Sequence, residues 1–451
     1  MIQLLQLILS LSILVFLHEL GHFVPARYFK IRVEKFYLFF DTVFFFPGLN
    51  RFKFAFFKKK VGHTEYGLGW FPFGGYVNIV GMFGKPEEPE EIAAEAGVPE
   101  DEKFRNKKPW QRLIVLAGGI TVNLVLGFVL YVMILNVWGE TILPVENHKY
   151  GIACDSVSRS YGFQDGDKIL LVGDKKPRDV KSVFMSVLFD NVNKITVERD
   201  GQKLDITLPE NIGDVAFQND SRLFAERYPF YADSVIAGSS AAKAGLKKGD
   251  QIVKIGQDTV PFFNEFKEKI KKWSTKTTTI GVIRGGVYQE LPISVSKEAS
   301  IGVFGRGPDK ILGMKTLEYS FGQSFGRAYD KTFETLINYV KQFKYVFTSK
   351  GAKQIGGIAA IGSLFPEEWN WESFWSLTAL LSIILAFMNL LPIPVFDGGY
   401  MLFTLWEMVT GKPVPDKILK RSLTVGMWIV LALFLYSNGN DLYRMVISKF
   451  L

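Results

Sequence analysis

Apolar residues run for bilayer-spanning lengths in four places along the chain: Ile2–His22, Leu113–Trp138, Phe374–Leu391 and Leu423–Tyr436. A helix rises about 1.5 Å per residue, so about 20 apolar residues cross a hydrocarbon core of about 30 Å. The fourth run is the shortest and needs Arg421 or Asn438 near an interface. The first ends in ILVFLHELGHF, Ile13–Phe23, and so sets His18, Glu19 and His22 in an otherwise apolar helix. Ionisable side chains at that depth are costly unless they are used or paired.

Between the first two runs the pattern shortens. Phe36–Phe57 is aromatic but too short for a spanning helix. LGWFPFGGYVNIV, Leu68–Val80, has Gly74-Gly75 flanked by aromatic and β-branched residues and predicts a hairpin or bent strand. Backbone at membrane depth needs protein partners, so this piece is expected as a re-entrant loop packed on the helices, with an ordinary cytosolic hairpin as the alternative. The acidic PEEPEE region, Lys85–Glu102, reads as a solvated linker.

Between the second and third runs, Gly139–Asn370 is strand-rich with Gly-Asp turns. Ser160–Pro177, SYGFQDGDKILLVGDKKP, and Ser240–Val260, SAAKAGLKKGDQIVKIGQDTV, form an approximate internal repeat. After each come a predicted helix (Lys181–Asp190; Phe263–Trp273) and a strand pair (Ile195–Leu208; Thr278–Val295). Two tandem domains of about 80 residues each are implied. Tyr319–Phe347 predicts an amphipathic helix, followed by GGIAAIG, Gly356–Gly362.

Composition fits a few spans plus a large aqueous part: 451 residues, 48% hydrophobic, mean hydropathy +0.14. The formal charge of +8 does not argue for nucleic acid, because the basic residues sit beside the apolar runs. Arg27 through Lys60 with Lys107, Lys108 and Arg112 lie between runs one and two, and Lys412, Lys417, Lys420 and Arg421 between three and four. The positive-inside rule places both loops in the cytoplasm and the termini and the repeat region outside. Trp369, Trp371 and Trp375 form an aromatic belt where run three enters. A lone cysteine, Cys154, precludes an internal disulfide. The N-terminal run lacks a basic start and a small-residue cleavage site, so no cleavable signal is expected.

His-Glu-x-x-His on a helix puts two imidazoles one turn apart on one face, where they can bind zinc with the glutamate as general base. A hydrolytic site needs a third ligand. His63 falls in the basic loop and His148 outside. Asp397, in NLLPIPVFDGGY after run three, matches the depth of His18 and His22, although an acid before Gly-Gly is commonly a turn residue. Glu19 would move protons. Asn389 would steady an oxyanion or substrate backbone, or make a helix–helix hydrogen bond. Pro392 and Pro394 break the helix and free backbone near the site. Gly119 and Asn123 form a small-xxx-polar pair that permits close packing.

With HELGH, PFGGYV (Pro72–Val77), NKKPWQR (Asn106–Arg112), Gly119-x-x-x-Asn123, the repeats and NLLPIPVFDGG in this order, the chain resembles the site-2 proteases, and most closely the regulator-of-sigma-E protease branch. The resemblance implies a polytopic α-helical membrane protein with four transmembrane helices, a re-entrant β segment and two tandem PDZ-like α+β domains outside the membrane. It implies Zn2+ held by His18, His22 and Asp397, catalysis by Glu19 and Asn389, and substrate contacts from Phe73, Gly74, Gly75, Tyr76, Val77, Pro392 and Pro394. The expected order is transmembrane helix one over 1–26, a cytoplasmic and re-entrant loop over 27–112 and helix two over 113–138. PDZ-like domains over 139–226 and 227–306 and a periplasmic helical gating region over 307–372 follow. Helix three covers 373–396, a cytoplasmic loop with Asp397 397–421, helix four 422–437 and a tail 438–451. The chain departs from the family at Phe396, where leucine is usual, at Ile120, where proline is usual, and at Tyr161-Gly162-Phe163, which replaces Ala-Gly-Leu in the first repeat.

The expected activity is intramembrane cleavage of single-span membrane proteins, such as anti-sigma factors or remnant signal peptides, already trimmed by a site-1 protease. The PDZ pair would act as a size filter. The partners are those substrates and membrane lipid, with no nucleic acid, and the place is the bacterial inner membrane with the active site near its cytoplasmic side. Two alternatives come from other classes. A membrane PDZ scaffold with a structural or inactive metal site has no need of all four residues His18, Glu19, His22 and Asp397. A metal transporter would want ligands along several spans.

Overall fold

The computed structural model describes residues 1–41, 54–82, 96–190 and 192–450, and the chain divides into two compact units, Met1–Gly139 with Glu318–Leu451, and Glu140–Leu317. The PEEPEE stretch and most of the aromatic run from Phe39 to Phe57 lie outside the described residues.

The first unit is a helix bundle with one sheet. Helix α1 spans Ile2–Tyr28 and α2 spans Pro109–Val137. Proline at the first position of α2 lacks the N–H that a helix start leaves unpaired, and the Gln111 side chain accepts a hydrogen bond from the Lys108 N–H at 3.1 Å. Helix α3, Phe321–Val346, begins with a Ser320/Gln323 capping box and buries Ser324, Ala328 and Thr332 at four-residue spacing. Ala328 joins Leu130, Tyr131, Ile134 and Leu135 of α2 in one core. Helix α4 is Ile358–Gly362, α5 is Trp371–Leu390, α6 is Asp397–Thr410 and α7 is Asp416–Phe450. Among the described residues, four helices are long and apolar enough to cross a membrane: α1, α2, α5 and the Asp416–Val446 part of α7.

Three features differ from the sequence expectation. Asp397 does not sit in a loop but is the first residue of α6, because Gly398 and Gly399 let the backbone fold onto the carbonyls of Leu390 and Ile393. Residues 438–450 continue α7 rather than forming a tail. There the Asn438 and Asp441 carboxyl or amide oxygens accept the Ile358 and Ala360 N–H groups at 3.3 and 2.9 Å, which satisfies donors at the start of α4. The expected helical region over 307–372 is split: the short helix Pro308–Leu312 and the strand Lys315–Leu317 belong to the second unit, and the long helix of the first unit begins at Phe321.

The sheet of the first unit contains β1 (Val33–Phe40), β2 (Ala55–Val61), β3 (Thr64–Gly69) and β4 (Phe71–Ile79), in the order β2-β3-β1-β4. β1 pairs parallel with β3 and antiparallel with β4, with Phe36 opposite Val77 and Leu38 opposite Gly75. Of the two forms expected for Leu68–Val80, hairpin or bent strand, a strand is found: Gly74 and Gly75 lie inside β4, and the chain bends at Trp70. Both glycines are set by contact. A Cβ at 74 would strike the Phe40 ring, and one at 75 would stand 2.8 Å from Val15 of α1.

The second unit has two cores. Ile152, Phe163, Ile169, Val183, Ile195 and Val197 belong to one, and Phe230, Ala232, Ile252, Val260, Ile280 and Val282 to the other. Matching contacts recur at matching places. Arg199 grips Asp167 through two bonds of 2.7 Å and donates to the Gly162 carbonyl at 2.8 Å. Arg284 grips Asp250 at 2.7 and 2.6 Å and donates to the Gly245 carbonyl at 2.8 Å. Gly162 (φ 95°) and Gly245 (φ 82°) both take the left-handed conformation that glycine tolerates. Phe163 and Leu246, the residues that follow, are both buried. At the ends of the unit, Glu140–Ile142 and Lys315–Leu317 pair antiparallel.

Candidate metal centre

His18 and His22 project from one face of α1 because residues four apart share a face. Gly21 of α1 lies against the backbone of Gly118, where a Cβ would come within 2.5 Å of the carbonyl oxygen. This close approach carries the two imidazoles onto Gly119, and a Cβ at 119 would stand 2.5 Å from His22 Nε2 and 2.6 Å from His18 Cε1. Asp397 reaches the same point from the start of α6. The turn before it is tight: Val395 sits at φ 108°, a strained value for a β-branched residue.

Three atoms converge. His18 Nε2 and His22 Nε2 are 3.3 Å apart, and Asp397 Oδ2 is 3.4 Å from the first and 3.3 Å from the second. All three residues are largely buried, and Asp397 Oδ2 makes no hydrogen bond despite these distances. Bonds of about 2.0–2.1 Å to a tetrahedral zinc separate the ligand atoms by about 3.3–3.4 Å. The set therefore fits a zinc ion better than it fits mutual hydrogen bonding. The opposite ring nitrogens are also occupied: His22 Nδ1 lies 2.8 Å from the Val115 carbonyl and His18 Nδ1 lies 3.0 Å from the Asn123 side chain. Among the described residues no other group of three His, Cys, Asp or Glu side chains converges in this way.

Glu19 follows His18 directly on α1 and neighbours the triad. The motif helix and the outer strand β4 pack together one turn before His18, where Gly75 lies against Val15. A Peptidase family M50 model matches residues 6–433. The chain belongs to peptidase family M50. Among its M50 relatives, the regulator of sigma-E protease RseP of Escherichia coli is 26% identical, over 97% of this chain and 98% of that protein. A Vibrio cholerae protein named "Putative zinc metalloprotease" is 28% identical, over 97% and 98%. A similarly named Neisseria meningitidis protein is 26% identical, over 98% and 99%. The chain is a zinc metalloprotease of the site-2 protease type, embedded in a membrane.

The remaining residues singled out in the sequence are more scattered. Asn389 is half-buried in the last turn of α5. Pro392 is exposed and Pro394 half-buried in the turn leading to Asp397. Gly74, Gly75, Tyr76 and Val77 line up in β4, as does the backbone of Phe73, whose side chain lies outside the description. Tyr76 turns into the sheet, stacking on Tyr37 at 5.3 Å and donating to Asp41 at 3.1 Å. His63 is exposed beyond β2, and His148 is buried in the second unit. Sequence reasoning missed the polar support of the imidazoles. The signal in the sequence is an asparagine in an apolar span, one turn from Gly119, and the structure buries it wholly.

Outside the spans, burial beside Asp165 pushes the Cys154 thiol up to about 12. Burial raises the Asp250 carboxyl, but the Arg284 bonds and the Lys247 N–H outweigh it and hold it below the usual range.

Proposed function

We propose that this M50 protein cleaves membrane-spanning segments of other membrane proteins, with zinc held by His18, His22 and Asp397. The observation that carries this reading is the convergence of three ligand atoms 3.3–3.4 Å apart between apolar helices α1 and α2 and the start of α6. Zinc supplies Lewis-acid polarisation of a carbonyl and activation of water. Glu19 takes a proton from the attacking water on its carboxylate and delivers it to the leaving amide nitrogen. Asn389 donates its amide N–H to the substrate carbonyl or backbone.

A helix cannot present its peptide bonds to a base, so the substrate must unwind. β4 is the outer strand of its sheet among the described residues, and its outer edge offers backbone partners to an extended segment. Phe73, Gly74, Gly75, Tyr76 and Val77 contribute mainly through backbone, so side-chain preference is weak. Pro392 and Pro394 keep the opposite wall free of helix. α1, α2, α5 and α7 span the membrane, with both termini and the Glu140–Leu317 unit on the periplasmic side and the site nearer the cytoplasm. The two cores of that unit are PDZ-like domains that exclude substrates with bulky ectodomains until a site-1 protease has trimmed them. The matched Asp–Arg clamps support reading them as copies of one design. A scaffold with an inactive metal site would not need Glu19 placed beside three converging ligands.

The test is purified protein in liposomes with a tagged single-span segment lacking an ectodomain. Cleavage within the span that a zinc chelator stops and added zinc restores is the expected result. Cleavage outside the span, or none with zinc loaded, refutes the proposal.

A further inference from the structure

We propose that Asn123 is a positioning residue that holds His18 in the one tautomer able to bind metal through Nε2. The proposal rests on the reading of His18 as a zinc ligand. An imidazole that ligates through Nε2 carries its proton on Nδ1, and that N–H needs an acceptor. His22 has a backbone one, the Val115 carbonyl at 2.8 Å. His18 has only the Asn123 carboxamide, 3.0 Å from its Nδ1. Asn123 is wholly inaccessible, with its amide nitrogen Nδ2 placed 3.0 Å from His18 Nδ1 and its Oδ1 without a hydrogen-bond partner.

A half-turn of the amide exchanges its oxygen and nitrogen in nearly the same space. With the nitrogen toward His18, Nδ1 must accept, the ring proton moves to Nε2, and Nε2 can no longer ligate. With the oxygen toward His18, Nδ1–H donates and the Nε2 lone pair faces His22 Nε2 and Asp397 Oδ2. The second orientation also removes the unpartnered oxygen. The backbone here is pinned, because Ser382 Oγ donates to the Asn123 carbonyl at 2.7 Å, so the amide turns while the helix stays. Asparagine accepts as a carboxylate would, without placing another negative charge among apolar helices beside Asp397 and Glu19.

The full-length protein in detergent is titrated with zinc against a chromophoric chelator. Asn123→Leu, which keeps bulk and removes the acceptor, should weaken zinc binding about 10- to 100-fold. Asn123→Asp, which restores an acceptor oxygen, should return affinity to within about threefold of wild type, a rescue that a purely packing role would not give. If leucine disturbs the helices, Asn123→Ala removes the acceptor without adding atoms and carries the same expectation. Wild-type affinity in the Leu and Ala variants, or equal losses in Asp and Ala, overturns the proposal. Failure of wild type to bind zinc, or of His18→Ala to lose it, would refute the ligand assignment instead.

Discussion

Gly119→Ala is the smallest change that should reach the metal centre without touching a ligand. The added methyl would stand 2.5 Å from His22 Nε2 and 2.6 Å from His18 Cε1. Non-bonded carbon contacts lie at about 3.5–4.0 Å, so a ring or a helix must yield by about 1 Å. Metal–ligand distances tolerate only about 0.2 Å. Overpacking of a rigid site costs about 1–3 kcal/mol, and at about 1.4 kcal/mol per factor of ten zinc affinity should fall about 5- to 150-fold. Gly127→Ala, on the same helix, is the control. Its methyl would meet Ile383 Cγ1 at 2.8 Å, a movable side chain away from the metal, so zinc affinity should hold even if the melting temperature drops. The assay is zinc competition with a chelator at fixed pH. Equal affinity in wild type and Gly119→Ala would refute the packing of α1 on α2 described above.

Three further outcomes are expected. Cys154, buried and with its thiol pushed up to about 12, should alkylate at pH 8 about 10³-fold more slowly than a free thiol; a mass-spectrometric time course showing labelling as fast as in denaturant would contradict it. Replacing Glu140–Leu317 by a short Gly-Ser linker should leave zinc binding intact and admit substrates with intact ectodomains, because the paired end strands leave and re-enter together; an unchanged substrate range refutes the filter. The Asp250 carboxylate, held below its ordinary pKa, stabilises its loop above about pH 4 and loses that effect as pH falls through its folded value. In Arg284→Met, hydrogen exchange at Leu246–Ile255 should therefore be faster than wild type at pH 7, with the gap closing toward pH 3; a gap independent of pH counts against this ion pair.

Much of the candidate metal centre is legible in the sequence because its spacing is covalent. His18 and His22 share a helix face wherever that helix lies, and expected depth selects Asp397 over His63 and His148 as the third member of the cluster that the structure brings together. Sequence also marks the strand pairs Lys194–Arg199 with Gln202–Thr207 and Thr277–Arg284 with Val287–Ser294, which follow from alternation around Asp-Gly and Gly-Gly. It fails where a residue's role depends on what packs against it. Gly74-Gly75 resembles a turn, yet its glycines make room for the Phe40 ring and for Val15. Asp397-Gly-Gly resembles a loop for the same reason, and only the close carbonyls of Leu390 and Ile393 make it a helix start. The parallel β1–β3 pairing joins residues thirty apart and has no local signature. In the sequence Asn123 reads as a packing residue, because nothing in its own span names His18 as its partner.

The most direct test is Glu19→Gln beside wild type, with zinc content and cleavage of a trimmed single-span segment measured on the same samples. One zinc per chain in both proteins, with cleavage only in wild type, is the predicted result. Cleavage by Glu19→Gln at the wild-type rate would contradict the account.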